Sequence, residues 1–273
     1  MRTQDLIVSK LPDYQLLDSG HGDKLERIAG HLVQRPCPQA IWPKRLPGND
    51  WQRARSLCLR TADGGGSWQH HAGEPKGLRF HWQGPLPTPI RLHLRFTSFG
   101  HCGVFMEHSA LWAELAQRTP GKMLNLFGYT GAASLAAAAT GAEVFHVDSA
   151  KGVLDWGKQN VRLNPDLPGR IRWIHDDARA SLGFSKKRGF RYDLILMDPP
   201  SWGHGTSSKD VFTFDSDVSD MVADAMSVLA PGGHLIFSCH TPGVQTQAIV
   251  NLIDMSSARV LQAGELGLRH QDD

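Results

Sequence analysis

The stretch Met123-Leu-Asn-Leu-Phe-Gly-Tyr-Thr-Gly131 passes directly into an alanine-rich run, residues 132–139. An apolar run that ends in two glycines and continues as a strong helix former predicts a strand, a tight turn and a helix. Gly128 and Gly131 can adopt positive φ, and without a Cβ they let the backbone approach a ligand closely. The turn also exposes the first amides of the helix, which favour a negatively charged or electron-rich group.

Beyond this stretch the chain alternates short apolar runs with amphipathic segments. The predicted strands are 143–147, 171–175, 192–197, 234–238 and 259–268. The predicted helices are 109–118, 149–164, 178–182, a helix carrying apolar residues from Val218 to Leu229, and 245–254. A basic loop is expected at 186–189. This alternation predicts βαβ units and a parallel sheet, hence an α/β fold.

The first hundred residues differ in composition, because frequent prolines and the Gly64–Gly66 run disfavour long helices. Gly77–Trp82 and Ile90–Phe96 alternate apolar with polar residues and are predicted to be half-buried strands. Leu25–Leu32 is expected to form a short helix. We therefore predict a small β-rich domain over residues 1–100 and an α/β domain over 101–273.

One face of the strand at 90–96 is basic, since strand period two places Arg91, His93 and Arg95 together. Such a face either binds phosphates or is an ordinary solvated surface. A net charge of +2 over 273 residues excludes neither a nucleic acid nor a small-molecule substrate.

Four widely spaced cysteines without a C-x-x-C pair argue against a zinc site or a disulfide framework, so no metal is expected. Reduced cysteines indicate a cytoplasmic location. The sequence shows no signal peptide and no apolar run of about 18 residues, which predicts a soluble protein without a membrane partner. Oligomeric state cannot be predicted from these features.

Polar residues follow the predicted strands, and in such sheets ligands bind at the carboxyl ends of the strands. Asp148 lies 20 residues after Gly128, about the spacing at which an acidic residue accepts hydrogen bonds from ribose hydroxyls. The alternative is a helix N-cap, which Ser149 could supply instead. Asp177 is expected to reach an adenine amino group, although Asp176 competes for this role and a solvated turn carboxylate is the simpler alternative.

The run Asp198-Pro-Pro-Ser-Trp202 ends the next strand. Its prolines lack amide donors and hold the chain extended, so that Asp198 and backbone carbonyls can face a planar substrate. Trp202 either stacks on a base or covers the pocket or core. The following segment, residues 203–210, is expected to be a mobile, substrate-gating loop.

Together, Leu124–Gly131, Val147-Asp148, Asp176-Asp177-Ala178, Met197–Ser201 and Phe237-Ser-Cys239 resemble the class I S-adenosylmethionine-dependent methyltransferases. Within that class they are similar to the large-subunit ribosomal RNA methyltransferases that form 5-methylcytosine or 7-methylguanosine. The resemblance covers roughly residues 100–268 and implies a Rossmann-like domain, S-adenosylmethionine as cofactor and an RNA substrate, most specifically rRNA.

The resemblance also implies roles for individual residues. It assigns the cofactor to the turn and to the next two strand ends: Phe127, Gly128, Tyr129, Thr130, Gly131, Asp148, Ser149, Asp177 and Ala178. Gly103–Glu107 is similar to a donor-flanking segment of the family, which adds Phe105. The target base is expected beside Asp198, Pro199 and Pro200.

Three features depart from the family pattern. The N-terminal part does not resemble the RNA-binding PUA module of some relatives, and Asn125 replaces an acidic residue that is common in class I enzymes. No seventh strand is evident after residue 268. The class I fold places that strand antiparallel within the sheet, so either the sheet is incomplete or the N-terminal region compensates.

Cys239 is the candidate nucleophile for cytosine methylation, because carbon 5 reacts only after a thiolate adds to carbon 6. The alternative is a small buried residue at a strand end. N-methylation of a nucleobase or another amine would need only Asp198 and the Pro-Pro carbonyls. Two further alternatives are an inactive donor-binding module in RNA or ribosome interaction and a Rossmann dehydrogenase, although the Asp-Pro-Pro-Ser run argues against the dehydrogenase.

Overall fold

The structure, a computed structural model, describes residues 1–8, 11–60, 65–118, 120–207, 210–256 and 258–271. It contains two compact units. The α/β unit comprises Met1–Asp5 and Leu111–Glu265, and the β-rich unit comprises Leu6–Ala110 and the residues from Leu266 onward. The domain boundary near residue 100 stays a prediction, because compact units do not show which segments fold on their own.

The strands before the glycine turn are β1 Arg2–Thr3, β2 Leu6–Val8, β3 Tyr14–Gly20, β4 Asp23–Ile28, β5 His31–Pro36, β6 Ser56–Arg60, β7 Gly66–His70, β8 Arg79–Trp82, β9 Ile90–His93 and β10 Lys122–Leu126. Those after it are β11 Glu143–Asp148, β12 Arg170–His175, β13 Tyr192–Met197, β14 Trp202–His204, β15 Val211–Thr213, β16 Leu229–Phe237, β17 Gln262–Ala263 and β18 Leu266–Leu268.

The helices are α1 Gly48–Trp51, α2 Ser109–Arg118, α3 Ala132–Ala138, α4 Lys151–Arg162, α5 Ala178–Arg188, α6 Phe214–Ser227 and α7 Thr246–Asp254, with a 3₁₀ turn at Met106–His108. Among the described residues, no helix combines the length and the apolarity that crossing a bilayer requires.

The α/β unit is built on a parallel sheet with strand order β12-β11-β10-β13-β16, which confirms the predicted fold class. The strand order reverses beside β10, where such sheets bind ligands. Pairing aligns Leu126 with Val147 and with Met197, so β10, β11 and β13 end at one level. Apolar side chains fill both faces of the sheet: Leu126, Ile195 and Met197 pack with α5 and α6 residues, and Met123, Val144 and Leu194 pack with α3 residues.

The predicted sixth strand does not join this sheet. Its residues form two short strands, of which β17 pairs with β1 and β18 with β2. Gly264 separates them, and a Cβ on Gly264 would lie 2.2 Å from the carbonyl oxygen of Gln4, so glycine lets the two backbones meet. Among the described residues the main sheet has five strands and no seventh strand, while N-terminal residues pair with the last strands.

The basic loop predicted at 186–189 is wrong for its first three residues. Helix α5 continues to Arg188 and ends at Gly189, which adopts a left-handed conformation with φ 68°. Lysine and arginine in a last helical turn interact favourably with the helix dipole, and a left-handed glycine is a common helix stop. The cations therefore belong to the helix.

The β-rich unit contains a mixed sheet of order β3-β4-β5-β6-β7 and a β8–β9 hairpin. The helix predicted at Leu25–Leu32 is wrong, because this segment forms most of β4, a turn and the start of β5. Ala29 and Gly30 have φ of 49° and 78°, and Ile28 pairs with His31. Two consecutive residues with positive φ are typical of a tight hairpin turn.

Two residues of the predicted basic face lie on this hairpin, where Arg91 pairs with His81 and His93 pairs with Arg79. The strand ends at His93 rather than at Phe96, so Arg95 lies outside it. Burial lowers the pKa of His93, and the nearby cations of Arg95 and Arg79 lower it further. The arginines make this part of the hairpin electropositive. Phosphate binding there stays a prediction.

Candidate functional site

The glycine turn holds two bulky residues in an unfavourable backbone conformation. Phe127 and Tyr129 have φ of 57° and 53°, and Gly131 has φ of 89°. Left-handed backbone costs a non-glycine residue roughly 1–2 kcal/mol, so the surroundings must enforce this turn. Gly128 does not use the positive φ that glycine allows, and it is required for space, because its Cβ would lie 2.4 Å from the His146 ring.

His146 lies beneath the turn in a buried polar chain that the sequence analysis missed. Asn125 Nδ2 donates to Ser134 Oγ over 2.8 Å, and Ser134 Oγ contacts His146 Nδ1 over 2.8 Å. Burial lowers the pKa of His146 to about 3, against the opposing effect of the Tyr129 carbonyl, so the ring is neutral. An amide at Asn125 supplies the donor that a carboxylate lacks.

Asp148 connects the turn to the next strand end. Its Oδ2 accepts from the Tyr129 amide and its Oδ1 from the Ala150 amide, each over 2.9 Å. Burial raises the pKa of Asp148, and these two hydrogen bonds oppose the shift. Ser149 does not cap α4 as predicted: the cap position is Ala150, and Ser149 Oγ instead donates to the His204 carbonyl over 2.8 Å.

The other predicted turn residues serve the packing around it. Thr130 is buried, and its carbonyl accepts from Asn160 Nδ2 of α4 over 2.9 Å. The Tyr129 ring lies 6.3 Å from the Trp156 ring, and Gly131 is the N-terminal cap residue of α3. Helix α4 therefore supports the turn from one side.

Asp177 caps α5, and Arg179 holds its carboxylate. Oδ1 accepts from the Arg179 amide and Nε over 2.8 and 3.0 Å, and Oδ2 accepts from Arg179 Nη2 over 2.9 Å. Burial would raise the pKa of Asp177, but these hydrogen bonds lower it. Ala178 is buried, and Asp176 accepts from Ser181 Oγ over 2.8 Å. Sequence analysis missed Arg179, although its position two residues after an acidic cap was a signal.

A hairpin of β14 and β15 contacts these strand ends. Phe212 lies 5.3 Å from the Phe127 ring, and Arg179 Nη1 donates to the Val211 carbonyl over 3.0 Å. Trp202 is 56% exposed, so its ring does not cover the core. Of the predicted gating loop, Ser208 and Lys209 lie outside the described residues, and its mobility stays a prediction.

Asp198 directly follows β13 and lies beside two polar residues that follow β16, Ser238 and His240. Its Oδ1 accepts from Ser238 Oγ over 2.6 Å and lies 3.6 Å from His240 Nε2. Pro199 is buried and Pro200 is exposed. Sequence analysis did not identify Ser238 or His240, although the two residues lie on either side of Cys239 in the sequence.

Cys239 is partly buried and packs against the apolar core cluster of the sheet. Strands β13 and β16 are neighbours, as the nucleophile hypothesis requires, and the Ser238 amide donates to the Met197 carbonyl over 2.9 Å. The nucleophilic role of Cys239 stays a prediction. Phe105 belongs to the β-rich unit, where its ring lies 5.0 Å from His101 and 5.6 Å from His108, and its cofactor role also stays a prediction.

The sequence matches the profile of the S-adenosylmethionine-dependent methyltransferase family over residues 81–260. It is 36% identical, over 85% of this chain, to the ribosomal RNA large subunit methyltransferase K/L of Alteromonas mediterranea, and 29% identical, over 87%, to that of Chromohalobacter salexigens. The chain spans only about a third of these relatives' length, 34% and 33% respectively.

A solved structure gives a match along almost the whole chain. The SAM-dependent methyltransferase from Agrobacterium tumefaciens has a TM-score of 0.88 and 33% identity, covering 98% of this chain and 88% of that one. SMU.776, a protein solved in complex with SAH, shares the fold with a TM-score of 0.72 at 19% identity, over 92% of this chain and 68% of that one. The chain therefore belongs to the S-adenosylmethionine-dependent methyltransferase family.

Proposed function

We propose that this chain methylates a nitrogen of an RNA nucleobase, with the base bound beside Asp198. The observation that carries the proposal is the cluster of Asp198, Ser238 and His240 at the switch-point edge of the sheet, next to the strand that ends in the glycine turn. RNA is favoured as substrate because similar relatives are named ribosomal RNA methyltransferases. The predicted cytoplasmic location is part of this proposal.

The residues at the strand ends fit S-adenosylmethionine by donor and acceptor type. Each oxygen of Asp148 accepts one amide and keeps a lone pair for a ribose hydroxyl. Asp177 receives three contacts from Arg179, of which only one is at Oδ2, so this oxygen keeps a lone pair for an adenine amino group. Phe127 and Phe212 offer an apolar surface beside these carboxylates.

When bound, S-adenosylmethionine supplies an electrophilic methyl group. The chain's own part is to orient a nitrogen lone pair and to take up the proton that the nitrogen loses. The Ser238 hydroxyl donates to Asp198 Oδ1 and fixes the orientation of the carboxylate, which would accept a hydrogen bond from an amino group of the base. His240 Nε2 lies 3.6 Å from Asp198 Oδ1, so the imidazole neighbours the carboxylate that would take up the proton.

Methylation of cytosine at carbon 5 is the second candidate. It is favoured by the thiol of Cys239, which is partly exposed at the end of β16. Nitrogen chemistry ranks first because Cys239 packs against the apolar cluster, whereas its neighbours Ser238 and His240 approach Asp198.

Transfer of tritiated methyl groups to total RNA tests the proposal, with calorimetry on S-adenosylmethionine as the control for donor binding. Asp198→Asn should retain donor affinity and lose transfer by about a hundredfold or more, because a positioned proton acceptor contributes 10²–10⁴-fold. Cys239→Ala should retain transfer, and its loss would favour carbon 5. An inactive module would bind the donor and leave RNA unlabelled.

A further inference from the structure

The end of α5 and the residues after it form an exposed aromatic and basic segment, residues 184–191. It contains Phe184, Lys186, Lys187, Arg188, Phe190 and Arg191, all of them exposed. Phe184 is 53% exposed and Phe190 is 43% exposed. No part of the proposed methyl-transfer chemistry uses these side chains.

Core packing does not explain the two phenylalanines. Helix α5 buries its other face, where Leu182 lies between two serines. Ser181 donates to Asp176, and Ser185 contacts the Tyr192 hydroxyl over 3.0 Å. The helix therefore buries its serines and exposes Phe184. The centres of the Phe184 and Phe190 rings lie 6.0 Å apart. Large exposed apolar groups of this kind commonly mark interaction surfaces.

The charges of the segment are predominantly positive. Lys186 forms an ion pair with Asp224 over 2.6 Å, and the Arg188 guanidinium lies 5.5 Å from the centre of the Phe184 ring. Lys187 and Arg191 add two more exposed cations. Cations in the last turn also interact favourably with the helix dipole. That interaction does not explain the exposed aromatic rings beside them.

We propose that residues 184–191 bind a single-stranded part of the RNA substrate. Cations that face phosphates, combined with aromatic rings on which bases stack, are the usual means of binding single strands without sequence preference. The identification of RNA as the ligand rests on the proposed function. Helix α5 begins at the carboxyl edge of the sheet and rises about 16 Å over its length, so this contact is remote from the methyl acceptor.

Fluorescence anisotropy with a labelled single-stranded RNA of about 20 nucleotides tests the proposal, since this length exceeds one binding site of this type. Lys187→Glu combined with Arg188→Glu should weaken binding about tenfold or more. The slope of log affinity against log salt concentration should also become shallower, by the contribution of about two phosphate contacts. Phe184→Ala combined with Phe190→Ala should weaken binding about thirtyfold or more, because each of the two lost stacking contacts costs about 1–3 kcal/mol.

The matched control is Lys158→Glu with Arg162→Glu, which reverses two exposed cations near the end of α4, where the flanking sequence has no phenylalanine. Because these two cations lie outside residues 184–191, the control should change RNA affinity less than about twofold. Both test variants should bind S-adenosylmethionine like the wild type and should raise KM for RNA without changing kcat. Circular dichroism melting confirms that they remain folded.

If the variants bind and methylate RNA like the wild type, the surface assignment is wrong while the proposed function stands. If the wild type labels no RNA but the variants lose RNA binding, the assignment stands and the proposed function fails. A loss of binding to phosphatidylserine vesicles with RNA binding intact would identify a membrane surface and overturn the assignment.

Discussion

At Gly128 the absence of one carbon atom lets the turn lie directly on the His146 ring. Ser134 and Asn125 hold that ring through hydrogen bonds, so it cannot move away freely. The turn is thus shaped from beneath by a neutral, buried histidine. The residues on either side of Gly128, Phe127 and Tyr129, both have positive φ.

Gly128→Ala should destabilise the protein by about 1–3 kcal/mol, because overpacking a tight contact costs that much. It should also weaken S-adenosylmethionine binding, because the turn must move. Urea unfolding and calorimetry measure both effects. Gly183→Ala is the control, since a Cβ there meets nothing within 4 Å and alanine should raise helix stability by roughly 0.5–1 kcal/mol. Equal effects of the two substitutions would contradict the steric role of Gly128.

The pKa of His146 predicts how stability depends on pH. Its folded-state pKa of about 3 lies below its ordinary value of 6.5, so the unfolded chain binds the extra proton between these values. Stability should therefore fall as pH decreases through this window, by about 1.4 kcal/mol per pH unit from this group. Between pH 7.5 and pH 5, the wild type should lose about 2 kcal/mol more than His146→Gln in urea unfolding. Parallel curves for the two proteins would refute this explanation.

At the scale of elements, one arginine of α5 links the start of that helix to the β14–β15 hairpin. Arg179 contacts Asp177, the Val211 carbonyl and Asp217, and its guanidinium lies 5.9 Å from the Phe212 ring. The cap of α5 and the position of the hairpin are therefore connected through one side chain.

Arg179→Met should make the hairpin more susceptible to proteolysis and weaken S-adenosylmethionine binding by about tenfold, or about 1.4 kcal/mol. The physical reason is that the hairpin loses its contact at Val211 and Asp177 loses two of its donors. Limited proteolysis with mass spectrometry and calorimetry measure the two effects. Arg172→Met, which removes an exposed ion pair with Glu143, should leave both unchanged. A wild-type cleavage pattern in Arg179→Met would count against this role.

The order of elements in the α/β unit follows from the sequence, because strand periodicity and glycine turns are local signals. Asp148, Asp177 and Asp198 were predicted to lie at strand ends for the same reason. His146, Ser238 and His240 were missed, because their roles depend on contacts between segments distant in sequence. Arg179 lies only two residues from Asp177, but its contact with Val211 could not be predicted because it joins distant segments. The pairing of β17 with β1 was missed likewise, since it joins opposite ends of the chain.

At the scale of the whole molecule, each unit has its own core, and that of the β-rich unit includes a buried charge network. Glu26 is fully buried and pairs with Arg35 and Lys24, and the Tyr14 hydroxyl donates to it over 2.7 Å. Burial would raise the pKa of Glu26, but the neighbouring cations and hydrogen bonds lower it to about 2. The network is satisfied only while Glu26 is ionised.

Glu26→Leu should destabilise the protein by about 3–5 kcal/mol, because it leaves the Arg35 charge buried and unpaired. The double substitution with Arg35→Met should recover much of this loss, as denaturant unfolding can measure. In the wild type, the contribution of Glu26 should be lost as pH falls from about 4.5 towards about 2, since its folded-state pKa is depressed. A double variant as unstable as Glu26→Leu would contradict this role.

Mass spectrometry of nucleosides from RNA incubated with the protein and methyl-deuterated S-adenosylmethionine tests the central claim most directly. The proposed site predicts a deuterated methyl group on a nucleobase nitrogen, absent when Asp198→Asn replaces the wild type. A donor-binding protein that leaves every nucleobase unlabelled, or a label on carbon or ribose, would contradict the claim.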